Sequence, residues 1–131
     1  MDSESLLRGL LFCDDARREE TGKEILIGLY SGGLTFQGGS PGRLRSLYTR
    51  IEFERDPDAR EGNLEYKLVA PSGAHVINYV GHIKLSSSGR TIFYVVNENL
   101  VLYEAGRYSA LVGLSSDPKE CDMLEVSFSD R

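Results

Sequence analysis

The sequence is built from short apolar runs separated by turn-forming residues, and several runs alternate strictly between apolar and polar side chains. In the run SLYTRIEFE, Leu47, Ile51 and Phe53 share one parity, whereas Arg50 and Glu52 share the other. Successive side chains of a β-strand point to opposite faces of a sheet, so this spacing predicts half-buried antiparallel strands. The runs LEYKLV and LEVSF alternate in the same way.

Turn signals such as SGG, GGSPG and SSDPKE separate the runs at a spacing that is typical of two packed sheets. The candidate strands are Leu6–Cys13, Glu24–Tyr30, Leu44–Glu54, Leu64–Val69, His75–Leu85, Thr91–Val96, Leu100–Tyr103, Arg107–Leu114 and Met123–Phe128. The segment DARREETGK offers no apolar stripe for a helix. We therefore predict an all-β fold, an antiparallel β-sandwich of the Ig-like or Greek-key type with about eight or nine short strands.

The 131 residues suit a single domain, 1–131, with one core. A net charge of -5 disfavours binding to duplex nucleic acid, which needs a basic surface. No apolar stretch is long enough to cross a bilayer, and the start MDSESLLRGLLF lacks the basic residues of a secretion signal. These features predict a cytoplasmic protein in which Cys13 and Cys121 are reduced thiols. No cofactor is predicted.

The first apolar run is interrupted at Cys-Asp-Asp. Asp14 and Asp15 are candidate metal ligands, because adjacent carboxylates suit a hard cation such as calcium. Arg17 and Arg18 follow closely and compete for the same carboxylates. We therefore favour a turn in which the two aspartates form local hydrogen bonds and ion pairs.

Catalytic groups are hard to find in this sequence. Cys13 as a nucleophile needs a nearby base, and only His75 and His82 offer an imidazole. The two cysteines and two histidines also lack the short pair spacing of structural zinc sites. Cys13 fits better as a small buried apolar residue, and we predict that the chain is not an enzyme.

The stretch CDDARREETGKEILIGLY resembles the opening of a family of short bacterial proteins with no assigned activity. The tail, with AGRYSALVGL and a final LEVSF strand, is similar as well. The matching positions in the opening are Cys13, Asp14, Asp15, Arg17, Glu20, Gly22, Lys23, Leu26, Ile27, Gly28 and Tyr30. The resemblance covers the two ends of the chain better than its middle. It implies a compact β-sandwich-like domain and carries over no catalytic residue.

Residues 25–51 contain no acidic side chain. Arg43, Arg45 and Arg50 give this segment a net charge of +3, so the rest of the chain carries -8 to reach -5. Glycines, a serine hydroxyl and arginines together suit a phosphate or carboxylate. The candidate ligand-binding residues are Gly38, Gly39, Ser40, Gly42, Arg43, Arg45, Tyr48 and Arg50. The alternative is a plain hairpin connection whose arginines pair with acids on neighbouring strands.

Two classes of function remain. The first is a non-enzymatic module that binds a protein partner or self-associates through a sheet face or an edge strand; exposed aromatic rings at Tyr94 and Tyr103 would favour it. The second is a binder of a small anionic ligand at residues 38–50. We favour the first. Tyr108, near the start of a late strand, is predicted to bond back to the backbone, as in Greek-key sandwiches.

Overall fold

The structure, a computed structural model, describes residues 6–129 and contains nine strands and no helix in that range. The strands are β1 (Leu7–Arg18), β2 (Glu24–Tyr30), β3 (Gly33–Gln37), β4 (Gly42–Phe53), β5 (Glu61–Val69), β6 (His75–Lys84), β7 (Thr91–Leu102), β8 (Gly106–Leu114) and β9 (Lys119–Ser129). The all-β class is confirmed. Within the described residues, no helix is long and apolar enough to cross a membrane.

The strands form two packed sheets. Sheet A has the order β2-β1-β4-β7, and sheet B has the order β3-β9-β8-β5-β6 and curls into a half-barrel. All neighbours are antiparallel except β3 and β9, which run parallel. Because β1, β4 and β7 belong to one sheet and β5, β8 and β9 to the other, the chain crosses repeatedly between the layers.

The core lies between the sheets and follows the alternation of the sequence. On β4, Leu47 and Ile51 are fully buried, while Arg50 points to the outer face of sheet A. The buried residues form one cluster that includes side chains of both sheets. Its one buried hydroxyl pair is satisfied across the layers, because Thr49 Oγ1 lies 3.1 Å from Tyr66 Oη.

Several element boundaries differ from the sequence-based expectation. The sequence predicts no strand between the SGG and GGSPG turn signals, but Gly33–Gln37 forms β3, whose Leu34 and Phe36 pack against the core. The expectation of purely antiparallel sheets is therefore wrong for β3 and β9. The NEN segment was expected to separate two strands, whereas β7 continues through it with Asn99 at a φ of 55°.

The first hairpin is longer than predicted, and it leaves the plane of sheet A. β1 continues through Asp14 and Asp15 to Arg18, so the predicted turn at Cys-Asp-Asp is wrong, and the connection to β2 lies at residues 19–23. β1 pairs with β4 only as far as Cys13. We call residues 14–30, beyond that point, the arm.

The arm folds back across the outer face of sheet A. Glu24 pairs with Arg18 at the far end of the hairpin, whereas Arg50 pairs with Leu11, seven residues earlier on β1. In a flat sheet, the seven residues from Leu11 to Arg18 would separate Glu24 from Arg50 by about 23 Å along the strand direction. Nevertheless, the carboxylate of Glu24 lies 2.7 Å from the Arg50 guanidinium, and only a folded-back hairpin brings them together.

The predicted backbone contact of Tyr108 is confirmed. Its ring is fully buried, and its hydroxyl donates a hydrogen bond of 2.7 Å to the carbonyl of Glu104. The same oxygen accepts a bond of 3.2 Å from the Glu104 amide. The corner between β7 and β8 is thus fixed by one side chain, and burial raises the pKa of its phenol.

Candidate functional site

The outer strand of the arm, β2, presents an apolar row on a free edge. β2 is the terminal strand of sheet A, and within residues 6–129 its backbone pairs with β1 alone. Ile25, Ile27 and Leu29 occupy alternate positions and are 39%, 44% and 52% exposed. Large apolar side chains on an unpaired edge mark a surface that favours pairing with another strand.

This edge lacks the features by which natural proteins block strand addition. Charges, prolines and very short strands are the usual protections of an edge. β2 has seven residues, and from Ile25 to Tyr30 it carries neither a charge nor a proline. By comparison, β6 at the edge of sheet B ends in His82, Ile83 and Lys84 and has polar side chains at several exposed positions.

A glycine, Gly28, lets β2 pass close to the side chain of Asp14 on β1. It has a φ of 69°, a region that side chains rarely adopt, and a Cβ there would lie 2.4 Å from a carboxylate oxygen of Asp14. The hydroxyl of Tyr30 donates a short hydrogen bond to the same carboxylate. Glycine therefore lets the Asp14 side chain cross the hairpin and hold the end of β2.

A half-buried ion network, which we call the latch, fixes the tip of the arm to the body. The carboxylate of Glu24 receives two bonds from Arg50, at 2.7 and 3.1 Å, and a short hydrogen bond from the hydroxyl of Tyr94. Glu52 lies 2.7 Å from the other terminal nitrogen of Arg50 and 3.2 Å from Arg8. Hydrogen bonding to Arg50 lowers the pKa of Glu24, and the two carboxylates raise the pKa of Arg50.

Of the two aspartates at the base of the arm, Asp14 binds the body, whereas Asp15 makes contacts within the arm. The carbonyl oxygen of Asp14 accepts a bond of 2.8 Å from the hydroxyl of Ser46 on β4. Asp15 accepts a bond of 2.8 Å from the amide of Ala16, and it lies 3.4 Å from the guanidinium of Arg17. Among residues 6–129 there is no group of three or more metal-ligating side chains, at these aspartates or elsewhere.

The predicted anion segment is divided by the structure into two parts. Arg50 is committed to the latch, and its side chain is only 13% exposed. Tyr48 is half-buried beside the ring of Tyr94, and burial together with Asp15 raises the pKa of its phenol. The ion pairs of Arg50 agree with the alternative interpretation of this segment, in which its arginines pair with acids on neighbouring strands.

The other part of the segment is exposed. Arg43 and Arg45 point to solvent, and neither forms an ion pair within the described residues. Ser40 donates a bond of 2.6 Å to the carbonyl of Tyr103 and so closes the loop. Gly42 is required by packing, because a Cβ there would lie 2.2 Å from the ring of Phe36. Gly38 and Gly39 complete this loop, and a Cβ at either position would meet no atom within 4 Å.

The cysteines and histidines are separate from each other. Cys13 is fully buried, and burial raises the pKa of its thiol. Partial burial raises the pKa of Cys121 to about 11, so this thiol is protonated at neutral pH. His82 lies on β6, in the other sheet from Cys13, and its Nε2 is 2.9 Å from a carboxylate oxygen of Glu61. No Cys13–His82 pair exists in this arrangement.

Sequence reasoning did not identify the apolar row as a surface. The run EILIGLY has the composition of a buried strand, and only the sheet order reveals that β2 is an edge. The aromatic side chains proposed for the interaction surface are split: Tyr103 is 67% exposed, whereas Tyr94 is half-buried and bound to the arm.

Comparison with known proteins gave no family model that matches the chain and no similar curated protein.

Proposed function

We propose that the protein is a non-enzymatic interaction module that associates through the free edge of β2. The observation that carries this proposal is the uncharged edge strand with its three half-exposed apolar side chains. An added strand would pair with the unbonded amides and carbonyls of β2 and would place its own side chains beside the apolar row, as cross-strand neighbours. Main-chain hydrogen bonds and alternating side-chain contacts are the two elements of recognition by strand addition.

A second copy of the chain is the occupant that the edge fits best. Two β2 strands that run antiparallel about a two-fold axis at Ile27 place Ile25 opposite Leu29 and Ile27 opposite itself. Glu24 then faces Tyr30, so no like charges oppose each other within the pair. A two-fold interface requires such a self-complementary surface.

The expected association is weak. Covering each half-exposed Ile or Leu contributes about 1 kcal/mol, and two copies bring six such side chains. Each strand hydrogen bond adds about 0.5–1 kcal/mol, whereas the loss of translational and rotational freedom costs about 4–15 kcal/mol. The favourable terms are thus of the same size as the cost, so we expect a dimer that forms only at high protein concentration.

Sedimentation velocity over a concentration series tests the proposal. Wild type should change from monomer to dimer as the concentration rises, and Ile27→Lys should stay monomeric because it opposes two charges at the axis. Val80→Lys is the matched control, since Val80 is 65% exposed on the edge of the other sheet. Equal dimerisation of wild type and Ile27→Lys would refute the use of this edge.

Native mass spectrometry of the protein from its own host distinguishes the two kinds of occupant. A homodimer that Ile27→Lys abolishes supports self-association. A stoichiometric complex with a different polypeptide, lost in the same variant, would keep the edge but replace the second copy with a protein partner. A complex that survives in Ile27→Lys would place the interface elsewhere.

A second candidate function is binding of a small phosphate- or carboxylate-bearing ligand at the loop that precedes β4. It is favoured by the exposure of Arg43 and Arg45 and by their lack of ion-pair partners within residues 6–129. The double variant Arg43→Ala/Arg45→Ala should then abolish binding of such a ligand. Unchanged affinity in the double variant would contradict this site.

We also propose the Ig-like or Greek-key type for the sandwich, supported by the corner at Tyr108 and by the crossing of the chain between layers. Membership of the bacterial family with the Cys-Asp-Asp opening rests on the motif alone. The cytoplasm is the proposed compartment, supported by the two free thiols, Cys13 and Cys121.

A further inference from the structure

A basic cleft lies at the corner where the tip of the arm meets the start of β7. Its volume is about 490 Å³, and Arg18, Lys84 and Arg90 line it together with the hydroxyl side chains of Ser87 and Thr91. No carboxylate lines the cleft among the residues that the structure describes. Three cations around one cavity are notable in a chain with a net charge of -5.

The cations come from two parts of the chain. Arg18 is the last residue of β1 and is brought here by the folded-back arm, whereas Lys84 ends β6 and Arg90 precedes β7, so these two flank one connection. The fold therefore brings Arg18 to two cations that are already near each other in the sequence. Like charges in proximity repel unless a counter-charge joins them, so this arrangement favours an anion.

Neighbouring acids neutralise the cleft only in part. Glu52 lies 3.2 Å from one terminal nitrogen of Arg90, whose side chain remains 54% exposed. The buried carboxylate of Asp56, on the loop that joins β4 and β5, is bound to Arg60 at 2.6 Å. Arg18 and Lys84 form no ion pair within residues 6–129. The hydrogen bond from Arg50 lowers the pKa of Glu24 and the charge of Arg18 adds to this shift, so Glu24 balances part of the Arg18 charge. One full positive charge, at Lys84, and parts of two others thus remain available.

The loop beneath the cleft is ordered by its own hydrogen bonds. The hydroxyl of Ser86 accepts bonds from the amides of Ser88 and Gly89, at 3.2 and 3.1 Å. The hydroxyl of Thr91 accepts a bond of 2.8 Å from the Ser86 amide, which leaves its proton free to donate outward. The loop therefore holds Thr91 and Arg90 in place before any ligand binds, and preorganisation lowers the cost of binding.

We propose that this cleft binds a small ligand through a phosphate or polyphosphate group. Guanidinium and ammonium groups form their strongest hydrogen bonds with phosphate oxygens, and hydroxyl donors complete the set. The cavity is larger than one phosphate and lies within the range of about 300–1,000 Å³ typical of small-ligand sites. Its apolar wall at Ile92 would contact the organic part of a phosphorylated ligand.

Isothermal titration with inorganic tripolyphosphate tests the site without requiring the natural ligand. Wild type should bind it saturably at one site per chain. Arg18→Ala and Lys84→Ala should each weaken binding by about tenfold or more, as expected for loss of one charge-assisted contact. Because Lys84 ends a strand at its exposed face, its substitution leaves the core intact.

The matched control is Arg17→Ala/Arg107→Ala, two exposed arginines that do not line the cleft, compared with the double variant Arg18→Ala/Lys84→Ala. Both remove two exposed positive charges, so a non-specific attraction to the chain would weaken equally in both. Loss confined to the cleft variant supports the proposal. Equal loss in both, loss confined to the control, or no saturable binding by wild type would overturn it. The oligomer assays with Ile27→Lys do not depend on this result.

Discussion

The ion network of the latch indicates that the attachment of the arm to the body depends on the guanidinium of Arg50. Replacing Arg50 by methionine keeps an aliphatic stem of similar length but removes the charge. Glu24, 17% exposed, then keeps the Tyr94 hydroxyl but no ion pair, whereas Glu52, 13% exposed, keeps Arg8 and Arg90, each at 3.2 Å. The cost therefore comes mainly from Glu24. Removal of one member of a buried ion pair costs more than the pair itself contributes, because the remaining charge is desolvated and unpaired.

The size of the effect follows from the burial of the three groups. Breaking a fully buried pair costs about 3–5 kcal/mol, and an exposed pair contributes about 0–1 kcal/mol. The Arg50 side chain is 13% exposed and makes two bonds to Glu24 and one to Glu52, so it lies near the buried limit. We expect Arg50→Met to lower the free energy of unfolding by about 3 kcal/mol.

Urea denaturation at one fixed protein concentration measures this loss, because association changes apparent stability. The matched control is Arg17→Met, also on the arm, whose side chain is 70% exposed and lies 3.4 Å from Asp15. It should cost less than about 0.5 kcal/mol. If Arg50→Met costs no more than Arg17→Met, the ion network does not hold the arm, and the argument from burial fails.

Three further predictions concern the latch, the corner and the loop before β4. Hydrogen bonding lowers the pKa of Glu24 below 4.5, so its stabilisation is complete above that pH and is lost as the pH falls further. On acidification below pH 4.5, the Tm of wild type should therefore fall more than that of Glu24→Gln, and parallel curves would contradict this. Tyr108→Phe should cost about 1–2 kcal/mol in urea, because the part-buried amide and carbonyl of Glu104 lose their partner. Gly42→Ala should cost about 1–3 kcal/mol by overpacking against Phe36, whereas Gly39→Ala, with open space around it, should be neutral.

The parts of the fold that depend on local patterns were predictable. Leu64, Tyr66 and Leu68 alternate with polar residues in the sequence, and all three are fully buried. Alternation identifies a strand and its inward face without knowledge of its neighbours. The backbone contact of Tyr108 was predictable for the same reason, because its position at the start of β8 defines its partner a few residues upstream.

The parts that depend on the neighbours of a strand were not predictable from one sequence. The row Ile25, Ile27 and Leu29 has the composition of a core strand, and only the sheet order shows that it is an edge. The pairing of Arg50 with Glu24 joins residues 26 positions apart and leaves no local signal. β3 was missed because its five residues, flanked by glycines, resemble a turn, although they pair with the distant β9.

Charge counting along the chain pointed to one group of cations and not to the cleft. The acid-free residues 25–51 drew attention to Arg43 and Arg45, which are exposed on a strand. Residues 66–97 contain no acidic side chain either and carry Lys84 and Arg90, whereas Arg18 stands among acids in DDARREE. A net charge counted over a segment describes side chains that are neighbours in the sequence. A ligand interacts instead with charges that are neighbours in space. Arg18 joins the other cations of the cleft in space because the hairpin of β1 and β2 folds back.

The arm therefore links the two proposed surfaces. Ile27 lies on its free edge and Arg18 at its tip, while Glu24 holds both in place through Arg50. An anion that joins Arg18 to Lys84 would add a second attachment between the arm and the body, beside the latch. Such a ligand would restrict the orientation of β2 without touching its edge, because β1 and β2 pair from Asp15 and Ile27 to Arg18 and Glu24 at the tip. A strand edge whose orientation is already restricted loses less entropy when it pairs with another strand. We therefore expect anion binding at the cleft and strand pairing at β2 to strengthen each other, each raising the affinity of the other by the same factor.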